Sequence, residues 1–377
     1  MSKCSIVIDL GFGDAGKGLT TDFLASQEPD KSLVVRFSGG HQVGHTVTTE
    51  SLTHTFSNFG SGTLQGLPTY YSEHTTLFPP AILQEGRFLA AYNPVLYLHP
   101  LAMVTTIYDI AYNRAVEKQQ QHGSCGLGFG ATIARNAEEV CFFANDLQFP
   151  WVMQQRLNSI NHYYKNKLLH QNPEVTAYYE KELRGYDEAF FVESCQQIQS
   201  FYSITTLSTF AQSFEHFIFE GSQGILLDTR HGFFPHTTWS ATTSKNAMQL
   251  IKDHLDATAV EVYYVTRCYQ TRHGNGPMAD TPAVHLQNHE KEANVTNEFQ
   301  GEFRTQALAE HLLEYALQCD AVYHQEIEVT KNLMLTCLDQ LPDFSISGLL
   351  NQLPVKFKNV YGSYGPSSKT IQEINAT

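Results

Sequence analysis

Gly11-Phe12-Gly13-Asp14-Ala15-Gly16-Lys17-Gly18 is the stretch on which the reading of the fold turns. Before it, Ser5-Ile6-Val7-Ile8-Asp9-Leu10 is a short apolar, β-branched run with the character of a buried strand. After it, Leu19 to Leu24 opens a helix. Strand, glycine turn and helix is the setting in which backbone N–H groups and a helix N-terminus hold phosphate. The spacing fits G-x-x-x-x-G-K, but Gly18 stands where a phosphate loop ordinarily carries Ser or Thr. The hydroxyl that usually meets Mg²⁺ is missing, and Asp14 offers an oxygen ligand in its place. The competing interpretation is a tight structural turn with a surface lysine.

Composition sets the outer bounds. The chain has 377 residues, 42% of them hydrophobic and 16% charged, enough for a large globular core. A net charge of −14 argues against nonspecific binding to nucleic acid or an anionic membrane. It leaves room for a small anion held by local Lys, Arg and N–H groups. No apolar run reaches the roughly 18–20 residues that span a bilayer, and no signal peptide is visible, so a cytoplasmic protein is expected. The seven cysteines are scattered, odd in number and without C-x-x-C, which fits a reducing compartment and excludes a disulfide framework or zinc site. No Pro/Gly/Ser linker and no internal repeat divides the sequence, so residues 1–377 read as a single domain.

Leu33-Val34-Val35-Arg36-Phe37 is a second strand, running into Ser38-Gly39-Gly40-His41-Gln42-Val43-Gly44-His45-Thr46. Three glycines and two histidines directly after a strand suggest a site loop: glycine lets the backbone approach a ligand, and imidazole moves a proton near neutral pH. Here the sequence resembles the adenylosuccinate synthetase family, through G-x-G-D-x-G-K-G followed by V-V-R-x-x-G-G-H-x-x-G-H-T in the family's order. That family ligates aspartate to the 6-position of inosine monophosphate (IMP), driven by GTP hydrolysis.

Further blocks carry the resemblance. Ser124-Cys125-Gly126-Leu127-Gly128 stands at the family's loop for the nucleotide 5′-phosphate, with Cys125 in place of Thr. Arg135, after this loop, is the candidate for the arginine that crosses the family's dimer interface. Glu220-Gly221-Ser222-Gln223-Gly224-Ile225-Leu226-Leu227-Asp228 resembles E-G-A-Q-G-x-L-L-D, and its continuation reaches Thr242-Thr243, a match to the family's phosphate-holding Thr pair. A Gln amide at 223 donates to a phosphoryl oxygen as charge builds. Phe217-Ile218-Phe219 before Glu220 reads as a strand, and Val260 to Val265 is another buried strand, leading to Thr271-Arg272-His273-Gly274-Asn275-Gly276-Pro277, which matches T-R-x-G-x-G-P at the purine. Asn297 to Thr305 replaces the family's arginine-rich amino-donor loop and leaves Arg304 and Thr305 as candidates. Thr330-Lys331-Asn332-Leu333 is placed at the family's T-K-x-D, with Leu333 where the guanine-reading aspartate belongs, which predicts ATP or a relaxed energy donor. Ser363 and Gly365 belong to a block resembling the terminal S-T-G-P.

The resemblance implies a large α/β domain with a mostly parallel sheet and a site at the carboxyl ends of its strands. It implies Asp14, Lys17, His45 and Gln223 as catalytic residues. The nucleoside triphosphate would lie on Gly13, Gly16, Lys17, Gly18, Gly44, His45, Thr46, Lys331, Ser363 and Gly365. The purine monophosphate would meet Asp14, Gln42, Ser124, Cys125, Arg135, Gln223, Thr242, Thr243 and Gly274. Mg²⁺ would bind Asp14 and the Gly44 carbonyl, and the enzyme would be a homodimer. Retention of Asp14 favours IMP over a purine bearing a 2-amino group. The alternatives are a phage-type relative that aminates GMP or dGMP, a phosphate-loop kinase or switch, and a non-catalytic nucleotide-binding relative. The stretches 145–215 carry no chemical motif; Trp151 to Leu169 and Phe190 to Phe214 have helical apolar spacing.

Overall fold

Short Val-, Ile- and Phe-rich runs with no alternation make strands that are buried on both faces, and such strands collect in a parallel sheet covered by helices. The computed structural model describes residues 2–120, 123–257, 259–287 and 301–374. Its central sheet has ten strands. In spatial order they are Ile371–Ile374, Asn359–Ser363, Glu328–Thr336, Ala259–Arg267, Lys3–Asp9, His216–Glu220, Ser32–Arg36, Thr69–Tyr71, Leu96–Leu98 and Tyr202–Ile204. All neighbours run parallel except the edge strand Ile371–Ile374. Lys3–Asp9 lies near the middle, in register with Val260 to Val265 on one side and His216 to Glu220 on the other.

The expected strands at 5–10, 33–37 and 260–265 are strands Lys3–Asp9, Ser32–Arg36 and Ala259–Arg267. Trp151 to Leu169 lies almost wholly in helix Pro150–Leu168. The helical expectation for Phe190 to Phe214 holds only to Gln197; Tyr202–Ile204 becomes the far edge strand of the sheet. Its backbone pairs with Leu96–Leu98, and this long-range pairing outweighs the local apolar spacing.

Because the strands are parallel, their carboxyl ends share one side of the sheet. The loops that leave Asp9, Arg36, Glu220, Arg267, Thr336 and Ser363 all open there, and all contribute to one large cavity. Among the described residues, no helix is long and apolar enough to cross a membrane.

Candidate active site

The phosphate loop is closed from inside by Asp9, the last residue of its strand. Its Oδ1 accepts from the Gly11 N–H at 2.7 Å, and its Oδ2 accepts from the Ala15 N–H at 3.0 Å and from Lys17 Nζ at 3.1 Å. Gly13 and Gly16 take φ of 99° and 102°, in the left-handed region where a side chain is strained, and Gly16 leads directly into helix Lys17–Gln27. Asp14 adopts φ 60°, a conformation that Asp tolerates better than most residues. Its carbonyl accepts from Arg267 Nε at 2.7 Å, and its Oδ2 lies 3.4 Å from His273 Nε2. Burial pushes the Asp14 carboxyl up, but His273, Arg267 and Lys17 more than offset this and hold it below the ordinary carboxylate value.

Opposite this loop, His45 begins the strand that follows the His41–Gly44 turn. Its Nδ1 lies 2.9 Å from Glu220 Oε1, and its Nε2 is buried without a protein partner. Burial lowers the His45 pKa against the pull of Glu220. Burial raises that of Glu220, but His45, Ser61 and Arg36 bring the carboxyl below its usual value. The resting pair is therefore a neutral imidazole beside a carboxylate, on a residue that lines the cavity and whose second ring nitrogen is unpartnered among the described residues. Gln223 takes φ 55°, and its amide oxygen is buried and unpartnered; both side-chain amide atoms of Gln42 are in the same state. Buried polar atoms left open in a folded chain are expected to meet a ligand or water.

These groups converge on a cavity of about 1050 Å³. Gly13, Asp14, Gly16, Lys17, Gly18, Gln42, Gly44, His45, Thr46, Ser124, Cys125, Gln223, Ser363 and Gly365 all line it. Ser124 Oγ is shared with the Asn113 amide, and burial pushes the Cys125 thiol up to about 11, so this cysteine is a neutral wall of the cavity. Asp14 and Gly44 both line this space, and a carboxylate and a backbone carbonyl are hard oxygen donors of the kind Mg²⁺ takes while keeping water and phosphate for its remaining positions. Among the described residues no group of three or more His, Cys, Asp or Glu side chains forms an all-protein metal cage.

Several expected site residues lie elsewhere. Lys331 sits five residues of extended strand, about 16 Å, before Thr336 at the cavity. It borders a separate groove with Lys356 and Lys358. Leu333 is fully buried in the hydrophobic core, mid-strand, and faces no nucleotide. The T-x-x-D that reaches the cavity is Thr336-Cys337-Leu338-Asp339: Thr336, Cys337 and Asp339 line it beside Gln340, and Thr336 Oγ1 donates to the Ala15 carbonyl at 2.6 Å. The register inferred from sequence is thus six residues early.

Arg135 has no exposed surface. Its guanidinium donates to Asp109 at 2.9 Å and to the Val104 carbonyl at 2.9 Å, so it cannot reach a second subunit. Thr242 and Thr243 are also buried; Thr242 Oγ1 donates to the Gly224 carbonyl at 2.9 Å and braces the Gln223 loop from behind. Thr237 and Thr238, five residues earlier, do line the cavity, as does Thr229. Gly274 forms a turn at φ 74° between cavity-lining neighbours His273 and Asn275. Arg304 and Thr305 do not line the cavity; they lie on strand Phe303–Ala307, antiparallel to Tyr269–His273, where Arg304 donates to the Gly276 carbonyl at 2.6 Å, while its cross-strand partner Arg272 lines the cavity and lies over the Phe12 ring at 4.1 Å. Burial, with Arg304 nearby, lowers the Arg272 pKa to about 10, which leaves it charged at neutral pH. His122 and Asn297 to Gln300 lie outside the described residues.

Sequence reasoning missed Glu220, Thr237, Thr238 and Asp339. Glu220 was visible as the strand-end residue three before Gln223. Asp339 was visible as the first carboxylate after the apolar run Leu333-Met334-Leu335 ends.

Comparison with known proteins gives a consistent picture. The family model for adenylosuccinate synthetase matches residues 6–346. The adenylosuccinate synthetase of Helicobacter pylori is 28% identical over 292 residues, covering 75% of this chain and 67% of the relative. That of Psychrobacter arcticus is 29% identical over 328 residues, covering 79% and 69%. The fold is shared with a fully ligated adenylosuccinate synthetase from Plasmodium falciparum, with a TM-score of 0.72 at 17% identity over 97% of this chain and 98% of the other. It is also shared with the cyanophage S-2L succinoaminodeoxyadenylate synthetase bound to dGMP and dATP, with a TM-score of 0.67 at 16% identity over 99% and 95%.

Proposed function

The chain belongs to the adenylosuccinate synthetase family, ligases that form a carbon–nitrogen bond, and we propose that it joins aspartate to C6 of IMP at the expense of GTP. The observation that carries this reading is the convergence of Asp14, Lys17, His45 and Gln223 on one cavity. Asp14, ionised at neutral pH, takes the N1 proton of the 6-oxopurine, and the O6 so activated attacks the γ-phosphorus. The O6–P bond forms as the bond to the leaving GDP breaks. His45 acts on the charge that develops on the transferring group once its ring has taken up a proton from solvent: Nε2–H then donates to the phosphoryl oxygen, while Glu220 accepts from Nδ1–H and stabilises the imidazolium. The Gln223 amide N–H, carried on a turn at φ 55°, donates to the same group. The aspartate amine then adds at C6, and phosphate leaves with the former O6.

Mg²⁺ held by Asp14 and the Gly44 carbonyl would neutralise charge on the triphosphate. The phosphate-loop N–H groups and Lys17 hold the same anion. Arg272, charged at the cavity wall, suits a carboxylate of the amino donor better than Arg304, which does not line the cavity. Asp339 supplies the acceptor for guanine N–H groups, so the argument for ATP from Leu333 lapses. The setting we propose is a cytoplasmic homodimer, with no role for Arg135 across its interface.

The test is formation of adenylosuccinate, with stoichiometric phosphate release, from IMP, aspartate, GTP and Mg²⁺. Product without phosphate, or neither from any nucleotide pairing, overturns the reading.

A further inference from the structure

We propose that His273 is a positioning residue for the Asp14 carboxylate, an inference that rests on the reaction proposed above. Nothing in the family's T-R-x-G-x-G-P pattern calls for histidine here, because 273 is one of its open positions. In this chain the residue ends the strand Tyr269–His273, paired with Phe303 across a two-stranded antiparallel ladder. The Phe303 ring packs against the imidazole with centroids 4.8 Å apart, fixing its plane. Thus held, His273 aims Nε2 at Asp14 Oδ2 from 3.4 Å. That is longer than an ordinary hydrogen bond, as catalytic contacts often are before substrate closes the site.

The remaining contacts on Asp14 explain why such a holder is needed. Its backbone is clamped by Arg267, which donates to the carbonyl oxygen, and by the φ 60° turn. These fix the Cα but leave the side-chain torsions free. Lys17, the nearest cation on the same loop, has its ammonium directed to Asp9. An imidazole N–H on one lone pair of Oδ2 restricts the carboxylate to one orientation, with Oδ1 toward the purine N1–H and a lone pair left over for the Mg²⁺ proposed above. A base must sit within about 2.6–3.2 Å of the proton it takes, so this restriction bears on rate. Among the described residues His273 Nδ1 is buried and has no hydrogen-bond partner, so none of them competes to anchor the ring at its other nitrogen.

The prediction separates a donor from a space-filler. His273→Leu keeps an apolar wall but removes the donor; His273→Gln places an amide N–H near the position of Nε2. With IMP, aspartate and GTP, H273L is expected to lose roughly ten- to a hundredfold in kcat, with KM for GTP unchanged within about twofold. H273Q is expected to recover to within about threefold of the parent. Parent-like kcat in H273L, or H273Q as impaired as H273L, overturns the proposal. A second measurement does not depend on turnover. Nitrogen-15 chemical shifts of the His273 ring in the free protein are expected to show a proton on Nε2; a bare Nε2 with the proton on Nδ1 overturns the proposal. If the parent protein makes no adenylosuccinate, the reaction reading fails, and the ring tautomer still decides whether His273 donates to Asp14.

Discussion

Replacing Asp14 by Asn is the sharpest perturbation of the proposed chemistry because the structure allows it to be nearly isosteric. Asp14 sits at φ 60°, a conformation Asn also tolerates, so the loop from Gly11 to Gly18 is expected to keep its shape. The amide oxygen can still accept from His273, and the backbone carbonyl can still accept from Arg267. What is lost is the negative charge and the basic lone pair. Loss of a positioned general base costs about 10²–10⁴ in rate, or roughly 2.7–5.5 kcal/mol. Since His273, Arg267 and Lys17 hold the carboxyl below its ordinary value, the parent base stays ionised from neutral pH down through the usual carboxylate range. The deficit of D14N should therefore not be restored by raising the pH. Asp14→Ala adds backbone strain at the same φ and serves as the comparison. Single-turnover phosphate release, with GTP affinity measured separately by calorimetry, reads the effect. D14N within about tenfold of the parent, at unchanged GTP affinity, would refute Asp14 as the base.

Other expectations follow from the same structure. Asp339→Ala should raise KM for GTP by roughly ten- to a hundredfold and bring GTP and ATP toward parity, for the loss of a charge-assisted acceptor worth about 1.5–3 kcal/mol. Leu333→Ala should cost about 2–5 kcal/mol of stability without altering donor preference, as both effects are read by denaturation and by competition between GTP and ATP. Arg135→Met breaks a fully buried ion pair and strands Asp109, so denaturant unfolding should show a loss of about 3–5 kcal/mol, while activity per folded molecule stays near the parent's. Acid should destabilise the fold through His41 and His216, whose pKa values burial lowers to about 3. Between the unfolded value near 6.5 and the folded value, the unfolded chain binds the extra protons, so the stability present above pH 6.5 is lost as pH falls. At pH 5 this amounts to about 2 kcal/mol for each ring, and thermal melts of His41→Phe should show a correspondingly shallower pH dependence than the parent's.

The parts of the site that were legible in the sequence are those set by local chemistry. Gly13, Gly16 and Asp14 announce left-handed turns, and the apolar run before them announces the strand that delivers the loop. Apolar runs likewise announce the strands Ser32–Arg36 and His216–Glu220, which deliver the loops of Gly44-His45 and Gln223. The misplacements came from features that only packing decides. Thr237-Thr238 and Thr242-Thr243 are equivalent as letters, yet one pair meets the cavity and the other braces a loop. Arg135 is a candidate for crossing a dimer interface only while its partner is unknown: Asp109, which holds it inside, lies on a different helix and is not signalled by local sequence. The T-x-x-D register slipped because Thr330-Lys331 begins a plausible match, although the apolar run to Leu335 shows that the strand has not yet ended there.

The central claim is tested most directly by a matrix of phosphate release and product identification with purified protein, Mg²⁺ and aspartate. The matrix crosses IMP, dIMP, GMP and dGMP with GTP, ATP and dATP. Adenylosuccinate and equimolar phosphate are expected with IMP and GTP. Turnover confined to GMP or dGMP, or to ATP or dATP, would contradict the assignment of Asp14 or Asp339 respectively; no turnover with any pair, in protein that still binds nucleotide, would contradict the ligase itself.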